Sequence, residues 1–142
     1  MRRGTSLPEI VVVTALAGLV AAIAVPSVRH AMDRRAVELA VQQVTSAHLE
    51  ARLFAVRTRH PAQLVLSADS MVLRTAFAGE TTLVWRRPGP RTYGVGVTGN
   101  PRTLRFIPTG YTIGGSNISY TITKGSARRR VVISRLGRVR TE

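Results

Sequence analysis

Met1-Arg2-Arg3-Gly4-Thr5-Ser6-Leu7-Pro8-Glu9 leads into Ile10-Val11-Val12-Val13-Thr14-Ala15-Leu16-Ala17-Gly18-Leu19-Val20-Ala21-Ala22-Ile23-Ala24-Val25-Pro26-Ser27-Val28, and Arg29 closes the run. Residues 10–28 carry no charge, close to the ~20 residues a helix needs to cross a ~30 Å hydrocarbon core. Arginines ahead of the run and a long chain behind it favour an N-in, C-out orientation. Ala22, Ala24 and Ser27 also offer the small residues of a secretory cleavage site, although a plain signal has a shorter apolar core. Glu9 resists that reading. A carboxylate at the lip of an apolar helix costs on the order of 2–3 kcal/mol to insert, and such residues are usually paired and functional.

Beyond Val28 the period stays helical. No Gly or Pro occurs from residue 28 to residue 57, and Val37, Val41, Val44, Ala47, Ala51 and Phe54 recur at three/four spacing, which makes one apolar helical face. Arg29, Arg34, Arg35, Glu38, Gln42, Glu50 and Arg52 form the polar one. Pro26 removes one backbone hydrogen bond and either bends the helix or ends the membrane span; the continuing periodicity favours a bend. A helix of about fifty residues is expected. His60-Pro61 should end it, because the residue before proline avoids the helical region.

After Pro61 the period becomes strand-like. Strands are expected over residues 62–66, 71–77, 81–86, 93–98, 103–107, 118–124, 129–134 and 138–141. Turn formers separate them: Ser67-Ala68-Asp69-Ser70, Pro88-Gly89-Pro90, Gly99-Asn100-Pro101, Pro108-Thr109-Gly110, Gly114-Gly115 and Lys124-Gly125-Ser126. Alternation in Leu83/Trp85, Leu104/Phe106 and Ile118/Tyr120/Ile122 suggests half-buried strands. The fold class is therefore α+β: a long N-terminal helix, membrane-spanning in its first half, packed by its second half on an antiparallel two-sheet β domain. Such a small β domain buries a marginal core alone, so the helix contact should contribute to stability.

Arg-Arg-Gly ahead of Thr-Ser-Leu-Pro-Glu, the apolar run and Pro26 resemble the class III leader of type IV pilins and type II secretion pseudopilins. The resemblance implies cutting between Gly4 and Thr5 by a prepilin peptidase and methylation of the new amine on Thr5. It implies for Glu9 the neutralisation of an N-terminal amine in a growing filament, where two opposite charges relieve each other's desolvation. Thr5 stands where the family usually has phenylalanine, and Pro8 where it has an aliphatic residue; proline is tolerated in a first helical turn. At the far end, Leu104-Arg105-Phe106-Ile107-Pro108-Thr109-Gly110, residues 118–122, Arg130-Val131-Val132-Ile133-Ser134 and Leu136-Gly137-Arg138-Val139-Arg140 resemble the GspH/FimT-type branch. That branch has a Phe-x-Pro-x-Gly turn and a terminal Gly-Arg-x-Arg-like strand.

The resemblance implies a leader at 1–4, a transmembrane assembly helix at 5–28, its amphipathic continuation at 29–60 and a β-rich domain at 61–142. It implies a minor pseudopilin of a type II secretion system, or a minor pilin of a type IV pilus, at or near the filament tip. The expected place is the bacterial inner membrane, single-pass, with the C-terminal domain periplasmic. The expected partners are other pilin or pseudopilin subunits, the prepilin peptidase and the inner-membrane assembly platform.

Charge opens a second possibility. The chain has 21 basic and 7 acidic residues, a net +14, and apart from Lys124 every basic residue is arginine. Arg128, Arg129 and Arg130 follow a Gly-Ser turn, with alternate members on opposite strand faces. Arg135, Arg138 and Arg140 surround Leu136-Gly137, and Arg86, Arg87 and Arg91 could extend a basic strip. These residues could protect sheet edges, dock on acidic subunits, or bind DNA phosphates without sequence preference, as in DNA uptake. With few aromatics, base stacking is disfavoured.

No enzyme is suggested. Asp69, Glu80 and Glu142 are too dispersed for acid/base work. His30, His48 and His60 lack metal-ligand spacing. Tyr93-Gly94-Val95-Gly96-Val97-Thr98-Gly99 imitates a phosphate loop but no helix pattern follows it, so its glycines are read as strand or bulge positions. No cofactor, catalytic residue or metal is expected.

Overall fold

The computed structural model describes residues 6–77, 79–100, 103–113 and 118–142. The Ser6 carbonyl accepts the amides of Glu9 at 3.0 Å and Ile10 at 3.3 Å, and opens α1 (Leu7–Thr58, 52 residues). Pro8 falls in the first turn, where its missing N–H costs no bond. The helix continues through Pro26 and ends before Arg59, whose φ of 58° turns the chain into the left-handed region. The chain divides into two compact units, Met1–Met32 and Asp33–Glu142.

In the first unit every described side chain is exposed, from Leu7 through Ile23 to Met32. The segment contains an apolar stretch long enough to cross a membrane, and none of that stretch is buried. Two of its hydroxyls are satisfied within the helix. Thr14 Oγ1 donates to the carbonyls of Ile10 (2.9 Å) and Val11 (3.0 Å), and Ser27 Oγ to that of Ala24 (2.8 Å). Such back-bonding hides polar groups from hydrocarbon.

The second unit carries the rest of α1 and the strands β1 (Ala62–Leu66), β2 (Ser70–Phe77), β3 (Glu80–Pro88), β4 (Gly96–Asn100), β5 (Thr103–Phe106), β6 (Thr112–Ile113), β7 (Ile118–Lys124), β8 (Ala127–Ile133) and β9 (Val139–Thr141). They form two antiparallel sheets, ordered β3-β2-β1-β5-β6 and β4-β7-β8-β9. One core joins the three layers. The helix contributes Val37, Val41 and Val44 with a row of alanines at 36, 40, 47, 51 and 55; Leu64, Leu73 and Phe106 come from one sheet, and Tyr120, Ile122 and Val131 from the other. Alanine brings the helix axis close to the sheets without loss of side-chain entropy.

Four expectations need correction. Residues 93–98 are not one strand: Pro90–Tyr93 is a 3₁₀ turn, Gly94 at φ 66° ends it, and β4 starts only at Gly96. Proline at the first position of that turn fixes a helical φ, which overrides the strand-like alternation. Leu83 and Trp85 do not share a buried face. A register shift between Leu73 and Arg74 pairs Arg74 with Leu83 and Leu73 with Trp85, so Leu83 is exposed while Val84 and Trp85 pack on the core. The two-residue strand β6 was not anticipated. Finally, Arg86, Arg87 and Arg91 do not extend the C-terminal arginines. Arg86 and Arg87 lie on β3, the edge of the other sheet; Arg87 pairs with Glu50 (2.8 Å) over the Trp85 ring, and Arg91 with Asp69 (2.8 Å). The turns at Pro101 and Gly114-Gly115 lie outside the described residues.

Candidate functional site

Two regions carry the expected function. In the N-terminal region Gly4 and Thr5 lie outside the described residues. Glu9 sits exposed in the first turn of α1, where the helix dipole favours a negative charge. Its carboxylate has no ion pair among the described residues, and it stands ahead of a fully exposed apolar helix. Pro26 lies inside that helix, where the amide that would bond Ala22 is absent.

The second region is the sheet β4-β7-β8-β9. Its inward row on β8 runs Ile133, Val131 and then Arg129, because Ile118, Tyr120 and Ile122 of β7 stand opposite them. Ile133 and Val131 are buried under the helix; Arg129 emerges at its margin and approaches Glu38 at 3.9 Å. Arg128 and Arg130 face the other way, opposite Thr123 and Thr121. Arg140 pairs with Val132, next to Arg130 on that outer face. The Arg130 guanidinium donates to Ser119 Oγ at 3.2 Å. Arg138 and Arg140 line one shallow cavity of ≈ 380 Å³ with Val132, Ser134, Leu136 and Glu142. The structure thus brings together Arg128, Arg130, Arg138 and Arg140 on one outer face. It leaves Arg129 on the inner side, and Arg135 in the β8–β9 turn, where its carbonyl accepts the Thr112 amide at 3.1 Å.

Two residues gain importance over their sequence reading. Arg52, placed on the polar helix face, runs its side chain between the Gly110 and Gly137 turns. His48 is buried: its Nδ1–H donates to the Val44 carbonyl at 2.6 Å, and its Nε2 has no hydrogen-bond partner among the described residues. Burial holds its pKa down at about 4 and pushes the adjacent Tyr120 phenol well up. The signal for His48 was its spacing, four residues after Val44 and seven after Val41. Among the described residues, no three His, Cys, Asp or Glu side chains form a metal-binding group.

Comparison with known proteins agrees with this architecture. The type IV minor pilin FimU of Pseudomonas aeruginosa superposes with a TM-score of 0.66 at 18% identity, over 77% of this chain and 90% of that one. The minor pseudopilin EpsH from the type 2 secretion system of Vibrio cholerae superposes with a TM-score of 0.59 at 12% identity, over 75% of this chain and 95% of that one. No curated protein matches the chain in sequence. The family model for the type II transport protein GspH matches residues 40–137, from the buried half of α1 through the glycine turn before β9. The chain belongs to the GspH family.

Proposed function

We propose that the chain is a minor pseudopilin or minor pilin, a structural subunit rather than an enzyme. It is held in the inner membrane by residues 10–28, with its β domain on the periplasmic side. The observation that carries this reading is the division of labour along α1: an exposed apolar half headed by Glu9, and a second half seated on two sheets. Family membership and the pilin-like fold support it. A prepilin peptidase cuts between Gly4 and Thr5, the Thr5 amine is methylated, and Glu9 meets an N-terminal amine of a neighbouring subunit during assembly at the inner-membrane platform. The subunit then stands near the filament tip, its apolar helix packed on sister helices. Intact-mass measurement of the membrane-extracted chain tests the first step: a species starting at Thr5 is expected, and one retaining Met1 in a host with the peptidase overturns it. Glu9→Ala should reduce filament incorporation without altering the β domain.

A second task on the same scaffold is favoured by one observation, the shared outer face of Arg128, Arg130, Arg138 and Arg140. In this reading the subunit contacts DNA phosphates during uptake. Gel shifts of the full chain in detergent should show affinity falling steeply with salt and lost in Arg138→Ala/Arg140→Ala. No shift at low salt removes the reading.

A further inference from the structure

A second arginine group, which shares only Arg128 with the outer face described above, is built where α1 meets the β7–β8 turn. Arg34 and Arg35 of α1 and Arg128 and Arg129 of β8 line an open cavity of ≈ 550 Å³, together with Glu38. All four guanidinium groups belong to exposed residues. Two carboxylates temper the charge. Glu38 stands at a long 3.9 Å from Arg129, and Asp33 lies beside Gly125 at the tip of the turn. Four positive groups against two negative ones leave the cavity positive. Among the described residues, neither Arg35 nor Arg128 has a carboxylate in ion-pair reach. Several planar guanidinium groups around one opening suit a phosphate, which they can bind in forked, charge-assisted fashion.

Position along the chain selects the kind of phosphate. Arg34 and Arg35 follow the uncharged run by about two helical turns, roughly 9 Å of rise. Once the apolar run is in a bilayer, this short tether keeps Arg34 and Arg35 close to the membrane surface, where lipid phosphate is present at high effective concentration. We propose that the cavity takes the phosphate of an anionic phospholipid headgroup, docking the β7–β8 turn onto the membrane surface. The proposal rests on the membrane-anchored reading above. It concerns a different group of side chains from the Arg138–Arg140 cavity.

The test uses the full chain reconstituted in vesicles of phosphatidylcholine, alone or with about 30% phosphatidylglycerol. Flotation establishes anchoring first. Hydrogen exchange then follows the backbone of residues 124–130. Phosphatidylglycerol should slow exchange there roughly fivefold or more. Arg35→Ser/Arg129→Ser should abolish the effect, whereas Arg138→Ser/Arg140→Ser, which removes the same charge, should retain it. Equal loss in both double variants would mean general attraction and would overturn the site. So would equal protection in phosphatidylcholine vesicles on adding inorganic phosphate or a DNA duplex. A chain that floats but shows no lipid-dependent protection sinks the headgroup site alone; a chain that does not float sinks the anchored reading itself.

Discussion

Gly137 stands directly against the carbonyl of Gly110. A β-carbon placed on Gly137 would lie 2.8 Å from that oxygen and 3.2 Å from Cδ of Arg52. Both glycines adopt positive φ, 83° at Gly110 and 69° at Gly137, and both are buried. The Phe-x-Pro-x-Gly turn and the Gly-Arg-x-Arg-like stretch, far apart in sequence, are thus two halves of one contact, with the Arg52 side chain as its third wall. Gly137→Ala combines backbone strain with a backbone clash. It should destabilise the protein by about 1–3 kcal/mol, seen as a lower urea midpoint, although Arg138 and Arg140 remain in place.

His48 and Tyr120 pack ring to ring, centroids 5.6 Å apart. The folded core holds His48 at about 4, below its ordinary 6.5, through desolvation that outweighs the Val44 hydrogen bond. Between those values the unfolded chain takes up a proton that the folded core refuses. Stability should therefore fall as pH drops from about 6.5 to about 4, by on the order of 3 kcal/mol, and this contribution should level off below. His48→Leu should remove that slope in chemical denaturation across the range. An unchanged slope would place its origin elsewhere.

Ala51 is fully buried between helix and sheets, while Leu53, two residues on, is 58% exposed. Ala51→Leu forces extra volume into a close contact and should cost about 1–3 kcal/mol. Leu53→Ala should change stability by less than about 0.5 kcal/mol. Parallel thermal melts compare the two, and the order is opposite to what residue hydrophobicity alone suggests.

Arg87 reaches Glu50 at 2.8 Å and lies 4.5 Å above the Trp85 ring, yet both charged side chains remain more than two-fifths exposed. Solvent screening limits such a pair. Arg87→Ala should cost no more than about 1 kcal/mol, with a change in Trp85 fluorescence as the accompanying readout.

How much of this was legible in the residue order depended on the range of the forces involved. The long helix was readable because breakers are absent and valines recur at its period; β1 and β7 carry clean alternation and fall at the expected residues. The β-bulge at Val84, opposite the Leu73–Arg74 step, was not readable, since it is a relation between two strands. Nor was β6, whose pairing with β5 rests on two residues. At the candidate site, the period of two separated Arg129 from Arg128 and Arg130. It could not say that the inward row leaves the helix margin at Arg129, which depends on where the helix lies. Arg52 looked like an ordinary polar-face residue because its neighbours, Gly110 and Gly137, are distant in sequence.

The alanine row of α1 has a further consequence. Its methyl groups set how near the sheets approach, and the relief that fixes where along the axis they stop comes from the few larger buried side chains, Val37, Val41, Val44 and His48. Polar contacts along the flanks add to that setting: Glu38 toward Arg129, Gln43 Nε2 donating to the Pro88 carbonyl at 3.0 Å, and Glu50 with Arg87. They act like the detents on a sliding rule. Each is individually weak, and together they reinforce the one notch that the larger buried side chains select.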